Sequence, residues 1–373
     1  MSGGIYFPFS IFTKKKMRLL NSVIIIVILL FSCKEDEDNT PIFDENYGEG
    51  MYVVTSNGVS FYNYKDSLAE VVNQIYKTVN NSSINNTKRI KFRGSEAYIL
   101  AENYIIRVDV NTFEDKGMNN GFLNPVDFDF ADPDDRLFVV DKEASEVKVV
   151  DLVKLEIISD IETGDNTIPV FILSNSEKSF IFNGGGLSSE EKDSTVVVIK
   201  YRNSLVPLAN FEGNILVGAN PNSGVITSSG RLKVLCKGVY DTTNPLNNIE
   251  SALSDVNQYS NKVYSTNNLS GIYNAQNLIG NWDNSRCYFT AEGVVYLLNP
   301  NTLNVTSLLD VDASVIRTVV ESFAVNDSTT VYYEMLYMND AEYPNYIYKY
   351  NLDFGSFVDT IIFDGTVRDI NFY

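Results

Sequence analysis

The side chains best suited to chemistry in this sequence are Tyr and Asn in two polar stretches. Tyr240, Asn244 and Tyr259 lie in residues 238–262, and Tyr337, Asn339, Tyr343 and Tyr346 lie in residues 337–346. Tyr offers a flat face with a polar tip, and Asn offers a donor and an acceptor on a short arm. That combination suits ligand binding, and these seven are the candidate binding residues. Catalysis is harder to build. The chain has no His, so the commonest general base near neutral pH and the commonest transition-metal ligand are missing. A Ser-His-Asp triad is excluded. Any catalysis must rest on carboxylates, Lys or Tyr, and no catalytic, metal-binding or cofactor-binding residue is assigned.

Other groupings read as structure. Asp127, Asp129, Asp132, Asp134 and Asp135 are crowded enough to look like calcium ligands. Asp127 and Asp129 alternate along a strand, however, and the Gly of an EF-hand loop is missing, so these are read as turn acids. Gly184, Gly185 and Gly186 are not followed by the GK[ST] of a phosphate-binding loop. Cys236 and Cys287 fall on the second strands of neighbouring repeats and read as buried thiols. Trp282 sits in a short turn and is expected to pack there as a lid.

The elements that must position these residues repeat along the chain. Residues 124–184 hold one strand unit and the start of the next. Pro125 opens an alternating strand, a DPDD turn at 132–135 follows, and then come RLFVVD (136–141), EVKVVDL (146–152) and EIISDIE (156–162). Pro169 restarts the series with NSEK (175–178) and SFIFNG. Four β-rich runs with turn chemistry between them read as a meander. The third run of each unit ends in Asp, Asn or Tyr with an apolar residue four places on: Tyr64/Leu68, Asp109/Phe113, Asp151/Leu155, Tyr201/Leu205 and Asn299/Leu303, with Asn351/Phe354 one place early. The gap from Tyr201 to Asn299 is twice the usual spacing, so one unit is hidden there and the total is seven.

A period near 45 residues with four strands per unit predicts an all-β, seven-bladed β-propeller of four-stranded antiparallel blades. The first unit starts at Met51 on what matches a second strand, and Thr366–Tyr373 (TVRDINFY) matches a first strand. The carboxyl-terminal strand is therefore expected to join the amino-terminal blade, whose other three strands would come from residues 51–79, and to close the ring without a frayed edge. The first-to-second-strand loops are short. The second-to-third loops, assigned to 184–194, 238–262 and 337–346, are long and emerge on one face, where binding function usually sits.

The chain has 373 residues, is 44% hydrophobic and carries a formal charge of −19. It can bury a large core, and its charge opposes nucleic-acid binding. The organisation expected is a signal segment at 1–32, Cys33 with an acidic linker to residue 50, and the propeller at 51–373. Residues 1–32 hold Lys14, Lys15, Lys16 and Arg18, no acid, and the apolar run VIIIVILLF at 23–31. That pattern is a secretory signal, too short to span a membrane comfortably. Either Met1 or Met17 serves as a start for it. LFSC at 30–33 resembles the lipobox of bacterial lipoproteins, which implies that Cys33 is lipidated and holds the protein to a membrane. KEDED at 34–38 resembles the surface-export signal of Bacteroidota lipoproteins, which implies an outer-membrane, cell-surface location. Loss of residues 1–32 removes four positive charges and leaves −23.

The run DPDDRLFVVDKEASEVKVVDLVKLEIISDIETG resembles the YVTN repeat of YncE-like propellers, and GANPNSGVITSSGRLKVLCKG (218–238) resembles the matching blade of Bacteroidota YncE-like lipoproteins. The likeness covers nearly all of 51–373. It implies a propeller and leaves its activity open, because propellers host many functions. Some such lipoproteins sit beside TonB-dependent transporters and capture a nutrient; a cobalamin-capturing member is known. The expectation is a ligand-capture or protein-docking module for a small-molecule nutrient or glycan. The alternatives are a calcium-dependent lactonase- or lyase-like enzyme at the axis, and a structural or adhesive surface protein.

Overall fold

The computed structural model describes residues 47–373 apart from 67, 132–134, 165–166, 187–189, 202–208 and 327–328. The signal segment, Cys33, most of the acidic linker, Asp132, Asp134 and Leu205 lie outside the described residues. Residues 45–373 make one compact unit. It is a seven-bladed β-propeller. Blades 2 to 7 are four-stranded antiparallel sheets at 89–120, 125–162, 169–216, 221–268, 276–309 and 316–362. Pro125, Pro169 and Pro221 each open a first strand, as their spacing indicated.

Burial follows strand position. The second strand Arg136–Asp141 is buried from Leu137 to Asp141, and the fourth strand Glu156–Glu162 alternates exposed and half-buried residues. A second strand has a neighbouring blade against each face, so a continuous apolar run stabilises it; a fourth strand lies at the rim and needs one apolar face. Blades 3 and 4 pack Phe138, Val140, Val147 and Val149 against Ile181, Val197 and Ile199.

The ring closes through the last strand. Val367–Phe372 pairs antiparallel with Met51–Thr55, with Met51 opposite Phe372 and Val53 opposite Ile370. Gly50 and Tyr373 exchange backbone hydrogen bonds at 3.2 and 3.1 Å beyond the end of the ladder. Blade 1 differs from the expectation in having three strands. Gly58–Tyr62 is its outermost strand, and a single bridge from Phe61 to Val72 stands where a fourth strand was expected. The chain then turns into a short helix, Ile75–Asn80, which buries Ile75 and Tyr76.

The turn that marked the repeat has a physical cause. Asp109, Asp151, Asn257, Asn299 and Asn351 each accept two backbone N–H groups on the side-chain oxygen, from residues two and three places on. The residue four places on is left-handed: Phe113, Leu155, Asn261, Leu303 and Gly355. The hidden unit is thus the turn at Asn257, and the partner of Asn351 is Gly355, not Phe354. Tyr64 and Leu68 do not make this turn; there Asn63 and Asp66 cap Lys65 and Leu68.

Candidate functional site

Each first strand runs from the face of the blade-to-blade links, here the upper face, towards the lower face of first-to-second turns. Seven first strands standing around an axis leave one sheet edge each pointing inward. Those edges carry backbone groups that need partners. Side chains supply them. Asp369 Oδ2 accepts the Ile90 N–H at 3.2 Å, Asp127 Oδ2 accepts Ile172 N–H at 3.1 Å, Asp129 Oδ2 accepts Ser174 N–H at 2.7 Å and Ser223 Oγ accepts Leu278 N–H at 2.9 Å. In every case the acceptor belongs to one blade and the donor to the next.

Around these bonds lies an axial cavity of about 370 Å3 to which all seven first strands or their leading links contribute. One wall is charged: Arg317, Asp369, Arg89, Lys91, Asp127 and Asp129 from blades 7, 1, 2 and 3. The opposite wall is neutral, with Phe171, Asn222, Ser223 and Asn277 from blades 4, 5 and 6. Arg317 Nη2 donates to Asp369 Oδ1 at 2.8 Å, and Lys91 Nζ lies 3.2 Å from Asp127 Oδ1. Arg89 stands between the two acids at 3.8 and 3.9 Å. The acids lie behind the cations: the Asp369 and Asp127 side chains are 1% and 2% exposed, against 29% for Arg317, 34% for Arg89 and 23% for Lys91. Desolvation, partly opposed by Lys91, holds the Asp129 carboxyl above the ordinary carboxylate range.

Both oxygens of Asp127, Asp129 and Asp369 already have donors, with Phe130 N–H on Asp129 Oδ1. A calcium ion needs six to eight oxygen ligands, and these carboxylates do not fit it. Among the described residues no group of three or more His, Cys, Asp or Glu is placed to hold a metal ion. Asp127 and Asp129, read from sequence as turn acids, are axis-lining strand residues.

The seven candidate binding residues do not form one site. Tyr240 and Asn244 are exposed on the blade 5 upper loop, and Tyr240 packs on Tyr273 with ring centroids 5.4 Å apart. Tyr343 and Tyr346 stack at 5.2 Å on blade 7, whose upper loop is 340–345. Tyr259 lies on the lower face. Its stretch was read as one loop, but Ala252–Asn257 is a strand that carries the chain across, and Tyr259 sits in the next turn. Tyr337 and Asn339 belong to the strand Thr329–Asn339 and are buried. The Tyr337 hydroxyl donates to Glu321. Asn339 Oδ1 accepts the N–H groups of Ser314 and Val315 at 2.9 and 2.8 Å, which fixes the link that lines the cavity.

Two further expectations are corrected. Trp282 is 77% exposed and is not the packed lid expected; Asn281 closes its own turn with Arg286 and Asn284. Length variation is not confined to the upper face either, because Ile316–Asn326 and Thr329–Asn339 form an extended hairpin on the lower face of blade 7. Cys236 and Cys287 are free, buried thiols on second strands of blades 5 and 6, as expected, and burial pushes each to about 12. Gly185 has φ +60°, and a Cβ there would lie 2.1 Å from Asn220 Oδ1. Only Gly lets the 184–194 loop close onto Asn220.

No family model and no curated protein matches the sequence. Solved structures do match. A periplasmic gluconolactonase of Pseudomonas aeruginosa aligns with 87% of this chain and 98% of its own at 11% identity, TM-score 0.63. A putative 6-phosphogluconolactonase of Bacteroides fragilis aligns with 89% and 99% at 9% identity, TM-score 0.61. A functionally unknown protein of Desulfotomaculum acetoxidans aligns with 87% and 98% at 12% identity, TM-score 0.61. At these identities the likeness shows the fold alone.

Sequence reasoning missed the axial residues. The signal available was a polar residue two places after the start of a first strand: Asp127 after Pro125, Ser223 after Pro221, Asp369 after Val367.

Proposed function

We propose that this chain is a lipid-anchored capture module of the YncE-like lipoprotein kind, held through Cys33 on the outer face of an outer membrane. It takes a small nutrient into the axial cavity from the upper face, with Tyr240, Asn244, Tyr343 and Tyr346 on the surrounding loops, and passes it to a TonB-dependent transporter. The observation that carries the choice of binding over catalysis is the state of the axial acids. Each carboxylate oxygen in the cavity already accepts a hydrogen bond or faces a cation. A general base must stand within hydrogen-bond reach of its substrate's proton, and these oxygens are instead engaged in holding one blade to the next. The cavity volume falls in the ordinary range for small-ligand sites.

The competing enzymatic reading draws on Asp129, whose raised pKa suits a proton donor, and on the lactonase names of two structural neighbours. One experiment separates the readings. The full chain in detergent is incubated with a mixture of vitamins, oligosaccharides and organic acids, washed and denatured, and the released compounds are weighed by mass spectrometry. Capture predicts one compound retained at unchanged mass and lost in Val170→Trp, a bulky change at a residue that lines the cavity. Retention equal in that variant, or a compound returned at altered mass, contradicts capture.

A further inference from the structure

We infer that the axial cavity takes a small organic anion, a carboxylate or phosphate on an uncharged body, with Arg89 as its principal contact. This rests on the capture reading and names its ligand class. Donors in the cavity outnumber the oxygens that receive them. The three acids of the cavity present no unengaged oxygen. The cations, by contrast, have donors to spare. Arg89 carries five N–H groups, and its one hydrogen bond among the described residues is to the Arg368 carbonyl at 3.3 Å. Its carboxylate neighbours stand beyond hydrogen-bond distance at 3.8 and 3.9 Å. The guanidinium is nonetheless aimed into the cavity and is the most exposed of the three cations. Arg317 and Lys91 flank it from blade 7 and from the same strand of blade 2.

A planar fork with open donors matches a carboxylate or phosphate in two parallel bonds. The wall facing it is uncharged, so the rest of the ligand meets Phe171, Val170, Asn222 and Asn277. An apolar or hydroxylated body fits that wall; a second charge has no partner there. In a chain of net charge −19, the partly exposed guanidinium of Arg89 is a local exception, and short-range pairing at the axis rather than long-range attraction selects the ligand.

Isothermal titration of the full chain in detergent tests this with benzoate and its neutral isostere benzamide. The expected result is benzoate binding at least about tenfold tighter than benzamide. Arg89→Gln removes that preference, Arg89→Lys restores part of it, and Lys154→Gln, an exposed change on the lower face, leaves it intact. Arg89 is ion-paired with Asp127 and Asp369 at 3.9 and 3.8 Å, so Arg89→Gln is expected to melt below the parent, and the preference is measured at a temperature where both remain folded. The inference is overturned if neither compound binds, if benzamide binds equally, or if Arg89→Gln keeps the preference. A neutral compound retained by the parent and lost in Val170→Trp would leave capture standing and remove only the anion class.

Discussion

Arg317 and Asp369 meet at 2.8 Å across the seam where the ring closes. Arg317 belongs to blade 7. Asp369 lies on the last strand, which completes blade 1, and its other oxygen holds Ile90 of blade 2. One carboxylate therefore ties three blades together, and it is fully buried. Replacing it by Ala strands a cation and a backbone N–H. Asp369→Ala is expected to lower stability by about 1.5–3 kcal/mol, the usual value for hydrogen bonds to a charged group. Urea denaturation followed by far-ultraviolet circular dichroism measures it, and a change below about 0.5 kcal/mol would contradict the latch.

Blade 7 contains a second buried pair. Lys349 Nζ lies 2.6 Å from Glu321 Oε2, both are nearly closed to solvent, and the Tyr337 hydroxyl donates to the other oxygen. Removing one partner leaves an uncompensated charge, which typically costs about 3–5 kcal/mol, whereas replacing both with apolar residues is often neutral. Glu321→Leu alone is expected to destabilise strongly, and Glu321→Leu with Lys349→Leu to recover most of the loss. Thermal melts of the two variants decide it; equal melting points would contradict the pairing.

The thiols give a pH prediction. Cys236 and Cys287 titrate near 12 in the folded chain against an ordinary 9.0, because burial opposes the thiolate. The folded state then holds protons that the unfolded chain releases. The stabilisation is complete below pH 9 and is lost as pH rises to about 12. Buried Tyr52 and Tyr337, whose pKa values burial also raises, act in the same sense. Alkaline unfolding is expected to begin above pH 9. Iodoacetamide at pH 8 should leave both thiols unmodified in the native chain and alkylate both in denaturant; native-state labelling would contradict their burial.

Cys33 carries the anchoring proposal. Metabolic labelling with an alkyne palmitate analogue is expected to mark the parent chain and not Cys33→Ala, and the variant should leave the membrane fraction. Equal labelling of both would remove lipidation at this residue.

How much of this was legible in the sequence depends on what each residue's type had to satisfy. The blades were legible because turns constrain type strongly: Asp151 must accept two N–H groups, and Pro125 must open an edge strand. The fifth blade was obscured because its left-handed position holds Asn261, a residue that reaches positive φ by its own polar side chain, where blades 2, 3 and 6 place Phe or Leu. The missing outer strand of blade 1 was obscured because Val72 still bridges to Phe61. The candidate site was less legible. Tyr337 and Asn339 were assigned to a loop since the stretch around them is polar, yet strand register turns both into the sheet. The axial residues were hidden for another reason. Asp127 reads as a turn acid and Arg89 belongs to no motif, and only ring closure brings them to one channel.

The most direct test is a crystal structure of the protein grown with benzoate. The account predicts its carboxylate density in the axial cavity, within hydrogen-bond distance of the Arg89 guanidinium, with the ring against Phe171. Benzoate seated instead on the upper loops at Tyr240 or Tyr343, with the axial cavity holding only water, would contradict it.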